Sequence, residues 1–104
     1  MMRTGIERRE SERIEHTSAI LHSTNPTDFF YRGTMHNFSI AGMYFESNED
    51  LIQGDKISIS IQEPPAQLAM KSREYFDVQI MWCKVLPGTA YQIGYGAKIL
   101  LKIL

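Results

Sequence analysis

Five consecutive residues constrain the fold of this chain more than any others: Ile57-Ser58-Ile59-Ser60-Ile61 alternates apolar and small polar side chains without a break. Successive side chains of an extended strand point to opposite faces, so period two marks a strand and does not fit one stripe of a helix. The isoleucines therefore share one face of a half-buried strand. Val78, Ile80 and Trp82 alternate with Gln79 and Met81 in the same way, and Tyr91, Ile93, Tyr95, Ala97 and Ile99 alternate with Gln92, Gly94, Gly96 and Lys98. Between these two segments, Leu86-Pro87-Gly88-Thr89 has hairpin-turn chemistry: proline fixes one dihedral and glycine permits positive φ.

Less regular strands are expected at about 14–23, 28–38 and 42–47, divided by Thr24-Asn25-Pro26-Thr27 and by a corner from Ser39 to Gly42. Loops follow at Asn48-Glu49-Asp50, Gln53-Gly54-Asp55 and Glu63-Pro64-Pro65. Six strands whose faces are both partly apolar are expected to curl into a small barrel, which also removes exposed edges. The fold class is all-β. With 104 residues the chain has room for one core and no separate substrate lobe. The domain reading is an arm over residues 1–13, polar and without apolar periodicity, followed by a barrel over 14–104.

Formal charge bounds the partners. Residues 1–13 carry four arginines against three glutamates, and the rest of the chain is slightly acidic, for a net charge of -1. A protein that neutralises many phosphates of a long nucleic acid needs a basic stripe, so no long nucleic acid is expected. Cys83 is the sole cysteine and has no intramolecular disulfide partner, and no apolar run approaches the roughly 18 residues that span a bilayer. The start MMRTGIERRESER lacks the apolar segment of a secretory signal. A cytoplasmic protein without membrane insertion is the expectation.

Two clusters carry the functional signal. Arg8-Arg9-Glu10-Ser11-Glu12-Arg13 offers guanidinium forks, and Asn37-Phe38-Ser39-Ile40-Ala41-Gly42 offers a small polar surface with a glycine. Alone, the first reads as a solvated charged face, with Arg9 and Arg13 four apart on one side of a helical turn, and the second as an ordinary Asn/Ser/Gly turn. Their order, with 23 residues and one expected strand pair between Arg13 and Asn37, gives them joint meaning.

On these residues the chain resembles the PilZ family, whose members bind the bacterial second messenger cyclic di-GMP. Arg9-Glu10-Ser11-Glu12-Arg13 fits the family's RxxxR motif, preceded by the extra arginine often found there, here Arg8. Asn37 to Gly42 fits its (D/N)xSxxG motif, with asparagine where aspartate is frequent. Val78 to Trp82 followed by Tyr91-Gln92-Ile93-Gly94-Tyr95 looks like its closing hairpin, and the resemblance runs from about Glu7 to Ile99.

The resemblance implies a six-stranded antiparallel barrel with a flexible N-terminal arm, and a cyclic di-GMP receptor or adaptor that signals to a protein partner in motility, polysaccharide export or pilus machinery. It implies ligand contacts from Arg8, Arg9, Arg13, Asn37, Ser39 and Gly42, with Arg8 favouring a stacked ligand dimer. The arm is expected to be loose without ligand and to clamp onto the barrel when ligand arrives. The helix that many members carry after the barrel is expected to be absent or very short.

The chemistry suits the ligand. A guanidinium fork pairs bidentately with phosphate and with guanine O6 and N7, Asn37 accepts from the guanine N1 and N2 edge, Ser39 both donates and accepts, and Gly42 lets backbone approach without a Cβ. Trp82 has two readings, a stacking platform for guanine and a core residue in phase with Val78 and Ile80. No cofactor is expected beyond the ligand.

Other groups read more plainly. His16, His22 and His36 lack metal-ligand spacing and are expected as surface or strand residues, and Cys83 as a buried strand cysteine without nucleophile signature. Tyr91 and Tyr95 read as sheet residues, and Gly94-Tyr95-Gly96-Ala97-Lys98 lacks the spacing of a phosphate loop. No catalytic pair of acids stands out, so the chain is read as a binding protein and not an enzyme. Two further classes stay open: a ligand-independent interaction domain of the same family, and a small barrel for single-stranded nucleic acid, against which the near-neutral charge argues.

Overall fold

The computed structural model describes residues 13–24, 30–68, 74–88 and 90–100. Arg8, Arg9 and most of the expected arm lie outside the described residues, as does the segment after Leu100. Six strands form in chain order: β1 (Ile14–Ser23), β2 (Tyr31–Phe38), β3 (Gly42–Ser47), β4 (Lys56–Ile61), β5 (Tyr75–Val85) and β6 (Ile93–Ile99). A 3₁₀ turn, Ala66–Leu68, separates β4 from β5. All neighbouring pairs are antiparallel, and the sheet closes on itself in the order β1-β2-β3-β6-β5-β4. The expected all-β, six-stranded antiparallel barrel is therefore found. Among the described residues no helix is long and apolar enough to cross a membrane.

Inward side chains fill the barrel. Ile20, Met35, Phe38, Phe45, Ile57, Ile59, Ile61, Val78, Ile80 and Tyr95 are almost wholly enclosed, with Met43, Phe76 and Ala97 beside them. Each buried side chain of this size contributes roughly 1.5–3 kcal/mol through removal of apolar surface from water. The isoleucines of β4 sit on the core face as their alternation requires. The serines between them are covered as well: Ser60 is fully buried, and the Ser58 hydroxyl donates to Asp77 Oδ1 at 3.1 Å across the β4–β5 register.

Two polar side chains cross the interior. His22 takes the strand reading of the two, on β1, and is buried: its Nε2 lies 2.9 Å from Ser47 Oγ, and its ring packs between Tyr31 and Phe45. Burial lowers its pKa from 6.5 to about 4, so the ring is neutral in the folded protein. Tyr95, on β6 as expected, donates to Glu49 O and accepts from Leu51 N at 2.9 Å, which ties the β3–β4 loop onto the core. Tyr91 precedes β6 instead of lying within it. The β5–β6 turn takes its expected chemistry, with Gly88 at φ 71°.

Registers slip at three points, between Glu15 and Ser18 on β1, Met35 and Asn37 on β2, and Ile80 and Trp82 on β5. A β-bulge of this kind adds a residue to one strand, bends it and re-aims the side chains that follow. The third slip overturns one reading of Trp82. Met81 is the extra residue, so Ile80 faces the core opposite Ala97 while Trp82, opposite Gly96, turns to the outer face with 41% of its surface exposed. Cys83 is exposed too, and not buried as expected, because β4 does not accompany this stretch of β5.

Candidate functional site

The turn between β2 and β3 is built by its own sequence. Ser39 N donates to Gly42 O at 2.7 Å, and the Ser39 hydroxyl accepts from Ala41 N at 3.2 Å and Gly42 N at 3.1 Å. A serine side chain replacing backbone partners in this way closes a tight corner. The hydroxyl keeps its own proton for donation, although Ser39 is largely buried. Gly42 is required by the sheet: it pairs with Lys98 on β6, and a Cβ there would stand 2.6 Å from the Ala97 carbonyl oxygen. Close packing of β3 on β6, which sequence reading did not anticipate, explains this glycine within the protein itself.

Arg13, immediately before β1, reaches across to this corner. Its Nη1 donates to Asn37 Oδ1 at 3.1 Å, linking the last residue of RxxxR to the first of (D/N)xSxxG. Asn37 is held opposite Glu15 and Tyr44, next to the slip in β2.

Arg13, Ser39, Ala41 and Gly42 then form one wall of a cleft of about 210 Å³. Its other wall is Met81, Trp82, Gly96, Ala97 and Lys98, with Met43 at the base. Of the residues expected at the site, the cleft brings together Arg13, Ser39, Gly42 and Trp82, and Asn37 joins through Arg13. Lys98, Met43 and Met81 escaped sequence reading because only the β3–β6 and β5–β6 registers carry them to the corner.

The aromatic wall has a legible basis. Trp82 stacks on Tyr44 with centroids 5.8 Å apart and an interplanar angle of 25°. Both rings lie on glycines of β6: a Cβ on Gly96 would clash with the indole, and one on Gly94 with the Tyr44 phenol. Glycine alternating with inward residues on a strand is a signal that large rings cross its outer face. Lys84 Nζ sits 5.7 Å from the Tyr44 centroid and 5.9 Å from that of Trp82, within cation–π range. The Tyr44 hydroxyl donates to Glu46 Oε2 at 2.9 Å. Burial, then this bond and the Glu46 charge, push its pKa up to about 12. His36 Nε2 lies 3.2 Å from Glu46 Oε1, off the hydrogen-bonding line.

In chemical terms the cleft combines two cations, Arg13 and Lys98, with a serine hydroxyl and a partly exposed indole, and among the described residues no acidic one lines it. This set can neutralise an anion and receive a flat ring. Among the described residues no group of three His, Cys, Asp or Glu is arranged to hold a metal ion. A protein-family model described as the PilZ domain matches residues 7–103. No curated protein matches the chain.

Proposed function

The chain belongs to the PilZ domain family, a cyclic di-GMP-binding domain family with binding and adaptor roles, and from that membership we propose that it is a cyclic di-GMP receptor. The ligand is held between Arg8, Arg9 and Arg13 ahead of the barrel and Asn37, Ser39 and Gly42 on it, and the occupied surface signals to a protein partner in the cytoplasm. The observation that carries the reading is the Arg13–Asn37 hydrogen bond beside a cleft that also contains Ser39, Gly42 and Trp82. Two motifs distant in sequence thus meet at one concave, cationic place.

Each group has a physical part in that reading. Arg13 is held by a neutral amide in the described geometry, so a phosphate or a guanine edge, which bonds a guanidinium more strongly, displaces Asn37 at small expense. Asn37 then turns its carbonyl to the N1 and N2 donors of guanine. Ser39 donates its remaining proton, Lys98 adds a second positive charge, and Trp82 offers a ring for a base. Arg8, ahead of RxxxR, favours a stacked pair of ligand molecules.

Isothermal calorimetry with cyclic di-GMP tests the proposal. Arg13→Ala is expected to weaken binding by about 2–5 kcal/mol, the scale for truncating one member of a desolvated charge pair. Undiminished binding by that variant removes Arg13 from the site. No heat from the unaltered protein would favour the other reading, a ligand-independent interaction domain, to which the neutral Asn37 in place of an aspartate inclines.

A further inference from the structure

Strand β5 is longer than the strand beside it. β4 accompanies it only from Tyr75 to Gln79, and the last backbone bonds on that side join Ile80 to Gly54 at 2.7 Å and to Asp55 at 2.8 Å. Among the described residues, Trp82 to Val85 of β5 pair with β6 alone, and no backbone hydrogen bond reaches the opposite edge.

The ladder fixes which groups are left over. Leu86 N donates to Gln92 O at 2.8 Å, toward β6, so in an antiparallel pair Lys84 and Trp82 also bond toward β6. The amides and carbonyls of Cys83 and Val85 then point to the open side. Met81 to Val85 are all exposed at the side chain, Val85 at 81%. An unpaired edge with apolar side chains is a template for another strand.

We propose that this edge is a homodimer interface, in which β5 of two copies pairs antiparallel about a two-fold axis at Cys83. The sequence of the edge selects a second copy as the occupant. In that register each Trp82 stands opposite the other copy's Lys84, a cation beside an aromatic face, and each Val85 opposite a Met81. Lys84 already lies 5.9 Å from the Trp82 centroid within one chain, so the pairing needs no new chemistry. Centring the pair on Lys84 instead would set two ammonium groups face to face, with no acid between Met81 and Val85 to relieve them. The isologous arrangement also uses both open edges at once and leaves none for further growth.

The experiment is sedimentation of the full chain over a concentration series, in reductant and without nucleotide, so that its outcome is separate from that of the receptor reading. A monomer–dimer equilibrium is expected. Val85→Pro, which removes one outward N–H, and Val85→Lys, which keeps the N–H but sets a charge at the edge, should each weaken association at least ten-fold with unchanged circular dichroism. Paired Cys83 residues would have Cα atoms about 5.5 Å apart, inside the range a disulfide bridges, so mild oxidation should convert the dimer to a disulfide-linked form. A chain that stays monomeric at its highest soluble concentration overturns the proposal, and so does a dimer indifferent to both Val85 substitutions and not linked through Cys83. If Val85→Pro fails to fold, Val85→Lys and the oxidation still decide.

Discussion

β4 and the far half of β5 belong to one closed sheet and stand in opposite conditions. In β4 the five residues from Ile57 to Ile61 are buried on both faces, and Ser58 to Ser60 are paired on both edges, by β1 and by β5. In β5 the five residues from Met81 to Val85 are exposed, and among the described residues one edge has no backbone partner. A single inserted residue at Met81 and the early end of β4 separate the two regimes. The contrast separates stability from the proposed binding: the enclosed strand holds the barrel, and the released one carries the indole of the cleft and the edge proposed for association.

The largest effect expected from breaking this contrast is in β4. Ile59→Ala deletes a side chain with no exposure, opposite His22 on β1 and Phe76 on β5, and should lower unfolding free energy by about 2–5 kcal/mol in urea titration. A loss below about 1 kcal/mol would mean that β4 does not differ energetically from the exposed half of β5.

Acid provides the next test of the enclosed side. His22 has a folded pKa depressed to about 4, below the ordinary 6.5, so between these values the unfolded chain binds a proton that the folded one does not. Stability is therefore expected to be complete above pH 6.5 and to fall as pH drops toward 4, by about 3 kcal/mol from this group. A His22→Gln variant should lose that slope. An unchanged slope in the variant would assign the acid sensitivity elsewhere.

Trp82→Ala sharpens the other side. Because the indole lies outside the core, stability should change by no more than about 1 kcal/mol, while cyclic di-GMP binding weakens by about 1–3 kcal/mol through lost stacking. A large stability loss with unaltered binding would return Trp82 to a structural part.

The sequence was most readable where period two runs unbroken. Ile57 to Ile61 and Tyr95 to Ala97 face as their alternation says, and Pro87-Gly88 forms the turn its dihedral preferences dictate. Reading failed one residue into the β5 bulge, since period-two reasoning carries an extra residue forward as an inversion of faces, and Trp82 inherited the error; Cys83 was misplaced for another reason, the early end of β4 beside it. That His22 is an enclosed strand residue was not legible, because its partner Ser47 lies 25 positions away, brought close by barrel closure that local pattern does not encode. At the cleft, the two motifs were expected to share a ligand, whereas the direct bond from Arg13 to Asn37 follows from the pairing of β1 with β2, which sets Glu15 opposite Asn37. Lys98 and the Ala97 carbonyl behind Gly42 depend on the pairing of β3 with β6, and nothing in their own neighbourhood announces it.

Trp82 is the one tryptophan of the chain, and it stands on glycine at the rim of the cleft. Its emission is thus a label already in place, sensitive to whatever enters beside it and largely blind to the packing of the isoleucines within. A titration followed by intrinsic fluorescence and an unfolding curve followed by circular dichroism would watch separate parts of the same small protein, with no dye attached to either.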